Sequence, residues 1–310
     1  MNLHTSITEN YSTLSSADIE TLKCGKKTVG LQKILDCLHQ YFYEHTTTGF
    51  NKTPFDIADL SKNHDLAFPL VTAIIDDITK EDIEHSCFFL HEYTKEANFP
   101  MTGFFLSALI NEHAKKTKNT EHYRLILNHL PETLDGLGCK NNTYLHVQGN
   151  LGHWSCHSMR GGSFFLDGNT DDYFGKQMQG GLAIIHGNAE DNCGIEMKNG
   201  KMIIDGTTKN DLGRYMKNGR IYCHGAGKNA GKDMEGGSIR IQGDLIYPFA
   251  DYMHDGEIKI YNKHITKKEL RKNIDLQYVS GNIFLNDEKI MNGRRYFFYR
   301  FTEFDRFFAY

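Results

Sequence analysis

Four side chains, Asp167, His186, Asp205 and His224, recur every 19 residues and alternate carboxylate with imidazole. Such a row could move protons near neutral pH, as an acid and base pair does, or hold a transition metal. Gln148 and Gln242 extend it at either end. The same alternation also suits a plain polar row, because stacked strands are destabilised when like charges sit opposite one another. A second cluster is HWSCHS, where His153, Cys156 and His157 crowd around Trp154, the single tryptophan. Two imidazoles and a thiol could bind zinc or form an activated thiolate, and a fourth ligand would have to come from Cys139 or His146. Two further signals carry less. GKKT at residues 25–28 resembles the tail of a phosphate loop but lacks its upstream glycine and strand, and His85 and His91 are six apart, off the i, i+4 spacing of helical metal pairs.

The elements that must position these residues are written in a repeat. Gly149, Gly168, Gly187, Gly206, Gly225 and Gly243 open units of 18–19 residues. Each unit carries a methionine, at Met159, Met178, Met197, Met216, Met234 and Met253. Three residues after each methionine comes a glycine, at Gly162, Gly181, Gly200, Gly219, Gly237 and Gly256. Self-similarity at this period marks a solenoid, in which each unit buries its apolar face against its neighbours. The GG, NG and DG dipeptides at the late glycines are corners that tolerate positive φ. The alternating tetrads that follow them, such as Ala183-Ile184-Ile185-His186, are strand chemistry. Stacking the units predicts an inward methionine ladder beside a second inward column of Leu166, Ile185, Ile204, Cys223, Ile241 and Ile260. The expected fold is α+β and multidomain. It comprises an N-terminal α-helical domain over 1–142, a right-handed parallel β-helix of about six coils over 143–262, and a C-terminal cap or docking segment over 263–310.

The runs DDYFGKQMQGG, GHWSCHSMRGG and GKNAGKDMEGGSIRIQGD resemble the GXGXG β-helix family, which is found in one of the subunits of formylmethanofuran dehydrogenase and in the C-terminal domain of the large glutamate synthase polypeptide. The resemblance spans residues 143–262. It implies a scaffold that packs against catalytic subunits or domains and holds no reacting group, and it transfers no catalytic residue. Cys156 and Ala250 depart from the pattern, standing where other coils have the mid-coil glycines Gly175, Gly194, Gly213 and Gly231.

Composition narrows the classes. Seven scattered cysteines without CxxC spacing suit a reducing compartment, and a cytoplasmic location is expected. The first residues have neither a basic start nor an apolar run, so no secretory signal is expected. No apolar stretch is long enough to span a bilayer. A net charge of −4, with no basic stripe across the coils, argues against nucleic acid as a partner.

Outside the repeat, GLQKILDCLHQYFYEH places Leu31, Ile34, Leu35, Leu38, Tyr41 and Phe42 on one helical face. Thr79 with Asp82 reads as a capping box opening another helix, and PMTGFFLSALINEHAKK and EHYRLILNHL read as two more. PETLDGLGCKNN then reads as a linker. At the far end, KHITKKELRKN suits a short basic helix and SGNIFLNDEKIMNGRR a hairpin turning near Asn286 and Asp287. Residues 296–310 are dense in Phe and Tyr, which fits a folded-back cap, a docking segment or a membrane-surface helix.

The column facing out from the strands runs His146, Phe165, Ile184, Ile203, Tyr222, Arg240 and Lys259. An exposed apolar row of this kind is more often covered than bare. The stripe Phe165, Ile184, Ile203 and Tyr222 is therefore read as an interface, for the N-terminal helices or for a partner. Two functions from different classes stand. One is a non-catalytic scaffold that binds another protein or a second copy of itself, with no cofactor. The other is an enzyme whose site lies at the junction of helices and coils, using the Asp/His column or the His153, Cys156 and His157 cluster.

Overall fold

The computed structural model describes residues 27–47, 57–274 and 279–291. Among these, ten strands form one sheet whose order follows the chain. They are β1 (His122–Ile126), β2 (Tyr144–Gln148), β3 (Ser163–Asp167), β4 (Leu182–Ile185), β5 (Lys201–Thr208), β6 (Arg220–Ala226), β7 (Ser238–Ile241), β8 (Glu257–Ile260), β9 (Asn282–Leu285) and β10 (Glu288–Met291). β1 to β9 pair in parallel, each with the next, and the chain winds a parallel β-solenoid of about seven turns. A second line of bridges, Leu151 to Thr170 to Ala189 to Thr208, ties the coils together on another wall.

The repeat positions stack as their spacing requires. All six methionines are buried, and so is the column from Leu166 to Ile260. The late glycine of every corner has positive φ, for example +101° at Gly200 and +98° at Gly219. Its partner in the dipeptide does not, so the corner needs left-handed backbone at one residue rather than two. At Gly219 there is also no room for a side chain, since a Cβ would lie 2.9 Å from the carbonyl oxygen of Gly200 in the coil before.

Among the described residues four α-helices precede the coils: α1 (Val29–Thr47), α2 (Ile57–Ile74), α3 (Lys80–Phe89) and α4 (Thr102–Lys116). The apolar face expected on α1 is buried in full. The capping box of α3 is present, with the Asp82 amide donating to Thr79 Oγ1 at 3.2 Å and the Thr79 amide to Asp82 Oδ2 at 2.9 Å. α2 carries Pro69 in its interior, which is why its sequence gives a weak helix signal.

Two expectations at the start of the solenoid are corrected. EHYRLILNHL forms strand β1 rather than a helix, and the coils therefore begin before residue 143. β1 is covered on both faces only at its end: Tyr123 and Leu125 point into the solenoid, His122 is exposed and Arg124 half-buried on the outside, and Ile126 packs with Leu31, Leu35, Phe88 and Phe89 of α1 and α3. The buried run Leu125-Ile126-Leu127 has no alternation to tell it from a helix. PETLDGLGCKNN is likewise no linker but the remainder of that first coil. Its Leu137 carbonyl accepts from Cys156 N at 2.9 Å, and its Gly136 amide donates to His153 O at 2.8 Å. By register with Met159 and Gly162, Asn141 stands in the methionine position and Thr143 in the corner-glycine position, so the repeat signature vanishes. Asn141 builds the corner instead, donating from Nδ2 to Thr143 O at 2.9 Å.

The helices gather at this first coil and do not spread along the apolar stripe. The carboxylate of Glu84 on α3 accepts the Arg124 amide of β1 at 2.7 Å, which satisfies a donor on the sheet's open edge. On α4, Gly103 lets the helix approach until a Cβ would meet Asp135 O at 2.3 Å, and Ser107 Oγ accepts from Gly138 N at 2.8 Å. At the other end α5 (Lys267–Lys272) is the expected basic helix, N-capped by Thr266. The hairpin β9–β10 turns at Asn286 and Asp287, both with positive φ, and β9 adds one more parallel row. The aromatic segment 296–310 lies outside the described residues. Among the described residues no helix is long and apolar enough to cross a membrane.

Candidate functional site

Residues i, i+2 and i+4 of a strand share a face, so the outward face of the sheet carries three columns. The register sets Ser163, Leu182, Lys201 and Arg220 in the first, and Phe165, Ile184, Ile203 and Tyr222 in the second. Asp167, Asp205 and His224, within β3, β5 and β6, and His186, just after β4, make the third. Phe165 is buried, with Tyr144 and His146 against its ring at centroid distances of 5.1 and 6.5 Å. Ile184, Ile203 and Tyr222 are half-buried, flanked by the exposed side chains of Lys201, Arg220, His186 and Asp205.

The polar column is a connected row. His146 Nε2 lies 2.7 Å from Asp167 Oδ2, and Gln148 Nε2 donates to the same oxygen at 3.5 Å. Asp167 Oδ1 is 3.9 Å from His186 Nε2, and His186 Nδ1 is 2.7 Å from Asp205 Oδ2. Arg124 donates to Gln148 Oε1 at 3.1 Å and so ties the row to β1. Asp205 thus orients the His186 ring, whose other nitrogen faces solvent beside Asp167. That arrangement suits a general base held by a carboxylate. His224 has no hydrogen bond to this row and packs its ring near Gly243.

Asp167 also borders a cleft of about 600 Å³. Ile126 at the end of β1 and Leu130 and Pro131 of the loop after it make an apolar wall, while Gln148 and Asp167 at the ends of β2 and β3, with Asn150, supply polar groups. The loop is not visible in the repeat, because it belongs to the unrecognised first coil, whereas His146 stands in the expected outward column and reaches across to Asp167 of the next row. A further ladder, not anticipated from the sequence, is signalled there by an Asn after successive opening glycines, at Asn150, Asn169 and Asn188. Asn150 Oδ1 accepts from Asn169 N at 2.9 Å and Asn169 Oδ1 from Asn188 N at 2.8 Å; Asn188 Oδ1 accepts from Thr207 N at 2.8 Å.

The HWSCHS side chains are not brought together. Cys156 points into the core toward Gly138, and burial pushes its thiol well above the usual range, the opposite of an activated thiolate. His157 is buried with Nε2 3.3 Å from Ser158 Oγ, and burial, helped by Lys176, lowers it to about 4. His153 lies on the outside, 3.9 Å from Asp172. Trp154 packs with Phe104 of α4 and Cys139, so this coil departs from the pattern because it seats a helix. Among the described residues no three His, Cys, Asp or Glu side chains are placed to hold a metal, in this cluster or along the Asp/His column.

No protein-family model matches the chain, and no curated protein does.

Proposed function

We propose that the protein is a non-catalytic β-solenoid scaffold whose outward sheet face over β3 to β6 docks another protein or a second copy of the chain. One observation carries this reading: the apolar column Phe165, Ile184, Ile203, Tyr222 stays on the outside of the coils, with the helices drawn to β1 and away from it. Further along, the column changes to Arg240 and Lys259, which marks where cover ends. The resemblance of the coils to GXGXG β-helices supports the same role, as does a core filled along its length with no insertion large enough to form a substrate groove across the coils. A helical N-terminal part that seats on the first coil and a right-handed winding belong to this reading. So does a cytoplasmic location, which six buried, unbridged cysteines among the described residues favour. The test is Ile184→Asp with Ile203→Asp: the coils should stay folded, since both side chains point away from the core, while association with the partner is lost. Unchanged association in the double variant would refute the scaffold's interface.

The enzyme reading is favoured by a specific arrangement, the Asp205–His186 pair with Asp167 at the rim of the cleft. A panel of ester, phosphoester and glycoside substrates with wild type, His186→Ala and Asp167→Asn examines it. Turnover that falls by about 10²-fold or more in both variants would establish it over the scaffold; turnover indifferent to both would remove it.

A further inference from the structure

We infer that the partner on this face is a second copy of the chain, paired about a two-fold axis that runs along the apolar column, parallel to the solenoid. The inference rests on reading that face as a protein interface. What it adds comes from the charge pattern. Along β5 the outward side chains are Lys201, Ile203 and Asp205, a cation and a carboxylate on either side of an apolar centre. Along β6 they are Arg220, Tyr222 and His224. Across β3 to β6 the first column holds no acid and the third holds no Lys or Arg.

Two symmetric arrangements lay one such face on another. With the axis along the apolar column, the first column of each copy falls opposite the third column of the other. Lys201 then meets Asp205, Arg220 lies one row from the same carboxylate, and Ile184 and Ile203 each meet their own counterpart. With the axis along a strand, like columns meet, and no Lys or Arg finds a carboxylate. Opposite charges set register and exclude the wrong pairing more than they add affinity. The pattern is therefore self-complementary in one orientation only. The Lys201 ammonium lies over the Tyr222 ring of the stripe itself at 5.1 Å, whereas the cations that end the stripe have partners further along: the Arg240 guanidinium lies over the Tyr261 ring at 4.2 Å, and Lys259 pairs with Glu257 at 2.9 Å.

The footprint sets the strength. Four rows about 4.8 Å apart, each about five residues wide at ~3.3 Å, cover roughly 300 Å² per copy. That is below the ~800 Å² per partner of a standard complex, so the dimer is weak and is read at high concentration.

The experiment uses the full chain with Cys24→Ser, the other six cysteines being buried. Ile184→Cys and Ile203→Cys variants at about 1 mM are treated with a short bis-maleimide whose reach matches the ~10 Å between packed sheets. Each should cross-link to itself about tenfold more than the remote control Lys268→Cys, and mixing the two should give the 184–203 product in lower yield than either. Lys201→Asp should weaken self-association, read by sedimentation, by about tenfold, and Lys201→Asp with Asp205→Lys should restore it. Cross-linking at the control level, a dominant 184–203 product, or association indifferent to Lys201→Asp would each overturn the pairing. A protein that stays monomeric at these concentrations but loses a different partner on Ile184→Asp with Ile203→Asp would overturn the dimer and leave the scaffold standing.

Discussion

Gly194→Ala tests whether the mid-coil glycines are kept for backbone freedom or for space. Gly194 has φ +68°, but Cys156 and Ala250 occupy the equivalent position at +58° each, so side chains do exist in this conformation. What differs is the neighbour. A Cβ on Gly194 would lie 2.6 Å from Ile221 Cδ1, as one on Gly175 would lie 2.3 Å from Met202 Cε. By the same register Cys156 faces Ala183, the smallest member of that inward column, so the coil that enlarged one side reduced the other. Left-handed backbone costs alanine about 1 kcal/mol or somewhat more relative to glycine. Displacing Cδ1 adds at least about 1 kcal/mol, and the stiffer unfolded chain returns about 0.5. Gly194→Ala should therefore destabilise by about 2 kcal/mol. Ile221→Val alone should cost about 1 kcal/mol, yet combined with Gly194→Ala it removes the atom in collision. The pair should then cost about 2 kcal/mol in place of the additive ~3, a coupling of about 1 kcal/mol. Urea unfolding followed by circular dichroism, with midpoints compared at unchanged slope, measures this in a chain whose coils need not unfold together. Costs additive to within about 0.3 kcal/mol, or a Gly194→Ala protein as stable as wild type, would refute the space argument.

Other outcomes follow from the same structure. Gly219→Val should cost more than Gly194→Ala, roughly 3 kcal/mol or above, because its Cβ meets the Gly200 backbone at 2.9 Å and no side-chain substitution can relieve it; a melt matching wild type would show the corner to be misread. Burial lowers His64 and His157 from 6.5 to about 4. The unfolded chain therefore binds more protons between those values, and stability should fall as pH drops from about 6.5 to 4. His157→Gln should flatten that fall. Asp135, raised by burial to about 6, acts in the opposite sense: its contribution is present at low pH and is lost as pH rises through 6. A profile of unfolding midpoints that is flat from pH 7 to 4 in wild type would contradict the histidine assignment.

The repeat determined the architecture because its information is periodic. A glycine, a methionine and a corner at equal intervals force equal positions to stack, whatever the surroundings, and the inward methionines, the outward apolar column and the Asp/His row all follow from one register. The capping box at Thr79 and Asp82 and the hairpin turn at Asn286 and Asp287 were legible for a similar reason: each is a short-range hydrogen-bond or backbone requirement written within a few residues. Tertiary structure alone decided where chemistry is close together. β1 was hidden because the helices cover Ile126 and leave Leu125-Ile126-Leu127 buried without alternation, and its coil because Asn141 and Thr143 replace the methionine and glycine that mark the others. With that coil unread, the cleft beside Asp167 and its link through Gln148 to Arg124 had no visible cause. HWSCHS shows the converse: a spacing that suits a metal is undone when coil geometry turns Cys156 inward, buries His157 and leaves His153 outside, since neighbours along a solenoid coil point in different directions.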